Sequence, residues 1–289
     1  MQGGEVMATR REIVQRIYVA ALPLYGDAEA RQIAEMIAMA RGGITRNELL
    51  VEPYEELQIS DLDSIIADVE AWRPVQYIIG RADFDDMELE VCEGVLIPRP
   101  ETEELVAWVA NTAQRGARIV DLCTGSGCIA LALARRVEGS RVVALDLSPE
   151  ALAVARRNAE RYGPSVEFVE GDALADFTEM VGCEVDVVVS NPPYIPVSDR
   201  ALMRRNVTEH EPAMALFVGD DDPLLFYRAI ARTSQRVLSE GGLLFFEIYE
   251  ELAAEMCDML AAEGYVDVAV REDFRGKQRM ICARRSSID

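Results

Sequence analysis

The 289-residue chain suits one large domain plus a small one. Half of its residues are hydrophobic against 28% charged, the composition of a globular protein that buries a real core. With 29 Lys and Arg against 51 Asp and Glu the net charge is -22, a field that repels phosphate backbones and argues against a DNA or RNA substrate. Cys92, Cys123, Cys128, Cys183, Cys257 and Cys282 form no CxxC pair and no His/Cys cluster, so the pattern indicates neither a metal site nor a disulfide framework and leaves reduced thiols as the expectation.

The opening segment, MQGGEVMATRREIVQ, lacks the apolar core of a signal peptide, and no run is long enough to cross a bilayer. A cytoplasmic, membrane-free protein is expected, and a monomer. From Thr9 to about Ala71 the apolar positions Ile13, Ile17, Ala20 and Ala21, then Ile33, Ala34, Ile37 and Ala38, recur at helical spacing. Gly26, Gly42 and Gly43 punctuate them, and Thr45 and Ser60 stand where N-caps would. This predicts a small helical bundle over residues 1–73. After Pro74, Val75–Gly80 and Met87–Val91 read as two extended segments of a β-hairpin linker, residues 74–98.

Beyond residue 98 strands alternate with helices, the sign of a mostly parallel sheet covered on both faces. The strand-like runs are Arg118–Leu122, Arg141–Leu145, Val166–Val169, Val185–Ser190, Leu243–Ile248, Val266–Val270 and Met280–Ala283. Helical stretches fall near Glu103–Ala113, Ile129–Val137, Pro149–Tyr162, Leu224–Leu238 and Glu250–Glu263. Seven strands with that rhythm fit an α/β, Rossmann-like methyltransferase domain over residues 99–289.

The first of these strands runs into Cys123-Thr124-Gly125-Ser126-Gly127, whose glycines let the backbone turn sharply and a ligand approach the main chain at a strand's carboxyl end. The second ends in Asp146, about 25 residues after Asp121, where an acidic side chain can accept both ribose hydroxyls; Leu147 follows it. A nicotinamide dinucleotide would use the same layout, with Ala130 in the third glycine's place. Its pyrophosphate would be repelled by Asp121, whereas S-adenosylmethionine carries a sulfonium and an ammonium that an acidic rim stabilises. After the third strand, Asp172 is placed to accept from an adenine amino group and Ala173 to offer its backbone beside the ring; a plain turn residue is the other reading of Asp172.

The fourth strand stops abruptly at Asn191-Pro192-Pro193-Tyr194, because neither proline can continue the ladder. An amide or exocyclic amine is a poor nucleophile whose planar NH2 must be gripped. The Asn191 and Pro192 carbonyls can accept both N–H bonds, and Tyr194 can stack on the flat group. No ionisable general base is needed before transfer, so the sole histidine, His210, is not required as one.

At this point the sequence resembles the PrmC/HemK protein-glutamine N5-methyltransferases that act on peptide-chain release factors. The likeness covers nearly the whole chain. Pro74–Gly80 is similar to that family's linker, Leu96-Ile97-Pro98-Arg99-Pro100-Glu101-Thr102-Glu103 to its entry into the catalytic domain, and Glu211–Leu216 to the motif after its acceptor loop. The resemblance implies a helical N-terminal domain that helps hold the release factor, and S-adenosylmethionine as methyl donor. Together with the reading above, the expected donor set is Asp121, Cys123, Thr124, Gly125, Ser126, Gly127, Asp146, Leu147, Asp172, Ala173 and Asn191. The glutamine is expected to meet Asn191, Pro192, Pro193 and Tyr194, with Asn191, Pro192 and Tyr194 carrying the catalysis. Three positions depart from the family: Cys123 stands at its first loop glycine, Ile248-Tyr249 replace a polar-glycine pair after Glu247, and Ala173 lies where an aromatic is common. Two other readings compete. A nucleic-acid exocyclic-amine methyltransferase, acting on adenine or guanine, would share the acceptor loop but needs a basic face or a target-recognition insertion, and neither is visible. A non-catalytic scaffold with a vestigial donor site would bind no S-adenosylmethionine.

Overall fold

The structure, a computed structural model, describes residues 7–163, 165–182 and 184–286, so Cys183 and the first six residues of the N-terminal segment lie outside the described residues. The chain divides into two units: residues up to Arg81 with Arg204–His210, and Ala82–Met203 with Glu211 onward. No helix among the described residues is long and apolar enough to cross a membrane.

In the first unit, Thr9 and Glu12 form a capping box at the start of helix Arg10–Gly42, the Glu12 carboxylate accepting from the Thr9 N–H at 2.9 Å. Ile13, Ile17, Ile33 and Ile37 line its buried face and pack with Ile65 and Val69 of helix Leu62–Glu70. The sequence suggests several short helices here. Gly26, with non-helical backbone angles (φ 76, ψ 172), breaks the span into two helical stretches across a kink, as its place in the sequence suggests, and the left-handed Gly43 (φ 62) ends the second. Thr45 does cap helix Arg46–Val51, again with a capping box to Glu48. Ser60 does not cap the next helix: that helix begins after Asp61, whose carboxylate pairs with Arg41 and makes no cap bond. Strand β1 (Met7–Thr9) pairs antiparallel with β2 (Glu56–Gln58).

Val75–Gly80, expected to be extended, is a short helix, Val75–Ile79. The Pro74 carbonyl accepts from the Tyr77 and Ile78 N–H groups at 3.0 and 3.1 Å, and Gly80 (φ 77) closes the turn in the left-handed region. Tyr77 and Ile78 are consecutive and both buried, which one helical turn permits and a half-exposed strand does not. In the same unit Arg205 lies 5.6 Å over the Trp72 ring and His210 Nε2 is 2.8 Å from the Ala71 carbonyl oxygen.

The hairpin itself is β3 (Arg81–Phe84) and β4 (Met87–Glu90), turning at Asp85 and Asp86 with φ of 50 and 58. Two left-handed residues are what a tight two-residue hairpin turn requires, and Asp tolerates that region better than most. In the second unit β4 lies on helix Pro149–Tyr162. The Asn158 side chain accepts from Glu90 N at 2.7 Å and donates to the carbonyls of Glu90 and Ser126, at 3.1 and 3.0 Å.

The sheet is built from β5 (Arg118–Leu122), β6 (Arg141–Asp146), β7 (Val166–Glu170) and β8 (Val185–Ser190). After the short parallel pair β9 (Ile195–Pro196) and β10 (Phe217–Val218) come β11 (Leu238–Glu247), β12 (Tyr265–Glu272) and β13 (Gln278–Arg285). The seven long strands order as β12-β13-β11-β8-β5-β6-β7, with β13 antiparallel to both neighbours and the other pairings parallel. This is the Rossmann-like methyltransferase sheet that the strand and helix rhythm predicts. Apolar runs such as Val187-Val188-Val189 are buried on both faces, alternate residues entering the two cores that sandwich the sheet. The chain runs outward from β5 through β6 to β7, then returns to β8 on the other side of β5. That reversal opens a crevice at the carboxyl ends of β5 and β8, where open α/β sheets bind ligands.

Candidate active site

A cavity of about 210 Å³ occupies this crevice within the second unit. Cys123, Thr124, Gly125 and Ser126 line it from the loop after β5, Asp146 and Leu147 from the end of β6, Asp172 and Ala173 from the turn after β7, and Asn191 and Pro193 from the corner after β8. These expected residues are brought together. Asp121, Gly127, Pro192 and Tyr194 do not line the cavity, and each has a different job.

Gly127 (φ 82) starts helix Cys128–Arg136, and a Cβ there would sit 3.1 Å from the Ala155 Cβ, so the position demands glycine for packing rather than for ligand contact. Cys123 takes φ 61, the left-handed region where glycine is at ease, and carries a strain of about 1 kcal/mol. Its departure from the family's glycine therefore falls on a backbone that glycine suits. Burial pushes both cavity thiols up, that of Cys128 to about 12, so neither is a thiolate nucleophile.

Asp121 is fully buried behind the loop. Its Oδ2 accepts from Thr124 Oγ1 at 2.6 Å and from Ala130 N at 3.2 Å, fastening the loop to the strand, while Oδ1 is buried with no hydrogen-bond partner. Burial, with the Asp146 carboxylate adding a smaller push, raises its pKa to about 7. The folded chain thus holds a proton between pH ~4 and ~7 that the unfolded chain has released, so this group's contribution to stability is greatest below pH ~4 and is lost as pH rises to 7. Asp121→Asn keeps an oxygen for Thr124 and Ala130 and cannot ionise. It is expected to stabilise donor-free protein at pH 8, by no more than about 4 kcal/mol, and so to raise its Tm, with the gain shrinking towards pH 5. Thermal melts at both pH values check this, and an equal effect at both would refute it.

Asp146 is anchored at both oxygens: Oδ2 accepts from Gly125 N at 2.8 Å and Oδ1 from Ser148 N at 2.9 Å. Each oxygen keeps a further lone pair for a hydroxyl donor. Burial raises its pKa against those backbone donors. Asp172 is in part the turn residue of the blander reading, since its Oδ1 accepts from Leu174 N at 2.8 Å. Leu147 is half exposed and Ala173 is buried.

At the acceptor corner, Asn191 Nδ2 donates to Thr102 Oγ1 at 3.3 Å, and Thr102 Oγ1 donates to the buried Glu247 Oε2 at 2.6 Å. Tyr194 donates its hydroxyl to Glu247 Oε1 at 3.0 Å, and its ring stacks with Tyr249 at a centroid distance of 6.3 Å. Pro192 is buried. Ile248 is buried and Tyr249 donates to Asp199 Oδ2 at 2.6 Å, so that departure from the family pattern lies on the outer side of Tyr194. Neither Thr102 nor Glu247 carries a role that its place in the sequence motifs reveals. The available signal was an acidic residue ending the apolar strand β11, where burial of a charge demands partners.

Arg99 is the one basic side chain among the cavity-lining residues described, and it is neutralised by Glu211 at 2.6 Å; Glu211 also accepts from Ile97 N. The wall therefore presents carboxylates and no free cation. With the partnerless Asp121 Oδ1 behind the loop, the residues fit a ligand bearing an ammonium and a sulfonium and do not fit a pyrophosphate.

Residues 15–80 match the PrmC N-terminal domain family and residues 119–210 the methyltransferase domain family. The chain is 38% identical to a release factor glutamine methyltransferase of Streptomyces coelicolor, over 97% of this chain and 98% of that protein. It is 42% identical to one of Bacteroides thetaiotaomicron, over 78% of this chain and 81% of that protein. A methyltransferase structure from Pyrococcus furiosus superposes with a TM-score of 0.51 at 18% identity, covering 70% of this chain and 90% of that one, and shares the fold. With a carboxylate-lined crevice beside an Asn-Pro-Pro-Tyr corner, and with likeness to these two relatives over 97% and 78% of its length, the chain belongs to the release factor glutamine methyltransferase family and is an S-adenosylmethionine-dependent methyltransferase.

Proposed function

We propose that this chain transfers a methyl group from S-adenosylmethionine to the side-chain amide nitrogen of a glutamine in a peptide-chain release factor. The observation that carries this reading is Asn191: it lines the donor cavity and is tethered through its nitrogen, which leaves its carbonyl oxygen to accept an N–H from a planar NH2. Asp146, Gly125 and the loop Cys123–Ser126 would hold the donor, with Leu147, Asp172 and Ala173 beside its adenine. When bound, S-adenosylmethionine would supply an electrophilic sulfonium methyl: the N–C bond to the amide nitrogen would form as the C–S bond breaks, the electron pair leaving on the thioether sulfur and one amide proton passing to water.

The contribution of the chain is alignment and electrostatics. Asn191 and the rigid Pro192-Pro193 backbone hold the amide nitrogen, raising its electron density and aiming it. Tyr194, fixed by Glu247 and Tyr249, forms a stiff wall at the acceptor side. His210, whose Nε2 is bonded to the Ala71 carbonyl, is not required as a base. The test is mass spectrometry of candidate substrates incubated with labelled donor. A single methyl gained on a release-factor glutamine is expected; label on nucleic-acid amines, or none on any glutamine, would refute the reading.

A further inference from the structure

Glu247 is 1% exposed, at the end of β11, and receives two hydroxyl donors, one on each oxygen: Thr102 at 2.6 Å and Tyr194 at 3.0 Å. Two donors on separate oxygens are the arrangement of an ionised carboxylate, because a neutral carboxyl would turn its own proton against one of them. Burial, with a smaller push from Glu101, raises the Glu247 pKa, and the Thr102 and Tyr194 hydroxyls and the Arg279 guanidinium work against that rise by favouring the charged form. Thr102 has a single hydroxyl proton, and it is committed to Glu247. Towards Asn191 the Thr102 oxygen can therefore only accept, and the one donor Asn191 can offer is its NH2, as the 3.3 Å Nδ2–Oγ1 contact records.

We propose that Glu247, acting through Thr102, is the positioning residue that sets the hydrogen-bond polarity of the acceptor site, holding the Asn191 amide with its nitrogen inward and its carbonyl towards the incoming group. This deepens the proposed function and rests on it. The consequence is a chemical selection. A carbonyl at that position accepts from the NH2 of glutamine and opposes the oxygens of the near-isosteric glutamate, leaving buried acceptors facing each other. If the Thr102 proton were released, Asn191 could turn over and present its own NH2, which reverses the preference.

The full-length protein tests this with two synthetic peptides, one carrying the substrate glutamine and one with glutamate in its place. Thr102→Val removes the relay at nearly constant volume. It is expected to lower kcat on the glutamine peptide by about 10–100-fold, to leave the Kd for S-adenosylmethionine within about threefold, and to turn the glutamate peptide from a poor into an effective competitive inhibitor. Glu247→Gln is expected to do the same, and Thr102→Ser, which keeps the hydroxyl, to restore both glutamine turnover and glutamate rejection. A Thr102→Val enzyme with unchanged kcat and unchanged glutamate rejection would overturn the proposal, as would a loss of donor affinity that matches the loss of rate. Should wild type methylate no glutamine peptide, the proposed function itself fails. The polarity claim is then judged on the Asn191 side-chain NH2 resonances of donor-free protein, which must shift in Thr102→Val and not in Thr102→Ser.

Discussion

Asn191→Ala is expected to lower kcat for glutamine methylation by about 10²–10³-fold, the cost of removing one preorganised polar contact at a reacting centre, while the Kd for S-adenosylmethionine moves by less than about threefold. The reason lies in how Asn191 is held. Its nitrogen is bonded to Thr102 and through it to Glu247, so the amide is fixed before any substrate arrives and costs no reorganisation. Alanine deletes the grip on the acceptor and leaves Thr102 satisfied by Glu247. The proposed donor contacts from Gly125 and Asp146 are untouched, which is why affinity should survive. Calorimetry for donor binding beside a methylation assay separates the two quantities, and an Asn191→Ala enzyme of ordinary activity would remove the mechanism.

Asp146→Ala should act on the other substrate. A loss of about 10²-fold in donor affinity is expected, from the missing charge-assisted hydroxyl contacts and from the two backbone N–H groups left without an acceptor, at about 1–3 kcal/mol for each buried orphan. Both orphans are specific: Gly125 N sits in the donor loop itself, and Ser148 N opens helix Pro149–Tyr162. The damage is thus partly to the shape of the loop, and Asp146→Asn, which retains one acceptor oxygen, should fall between alanine and wild type. At saturating donor kcat should largely recover, since the acceptor corner after β8 is independent of this contact. Equilibrium titration of the three proteins decides the matter, and equal affinities would mean that the ribose lies elsewhere.

What could be read directly from residues was whatever depends on near neighbours in sequence. The run Val185–Ser190 ending at two prolines, the N-cap at Thr45, and the glycine turn after Leu122 are each set by a few adjacent side chains, and all appear in the structure as anticipated. Val75–Gly80 was misleading because its apolar content suits a strand, while the deciding features are the Pro74 carbonyl at its start and a left-handed glycine at its end. Ser60 looked like a cap, and the adjacent Asp61 took the position because Arg41, 20 residues away, holds it there. The acceptor relay was beyond local reading altogether: Thr102 and Glu247 are 145 residues apart and meet only because helix Pro100–Thr112 begins beside the end of β11. The charge of Asp121 and its position just before the loop suggest the cavity rim, and its actual place beneath the loop depends on the direction of one side chain.

Asn158 ties together three stretches of chain that are far apart in sequence: the hairpin at Glu90, the donor loop at Ser126, and its own helix. One buried amide has no spare bonding capacity to release one partner without exposing the other to an unpaired carbonyl or N–H. Loop order and hairpin order are therefore coupled, and by reciprocity the coupling free energy that one lends the other is returned in equal measure.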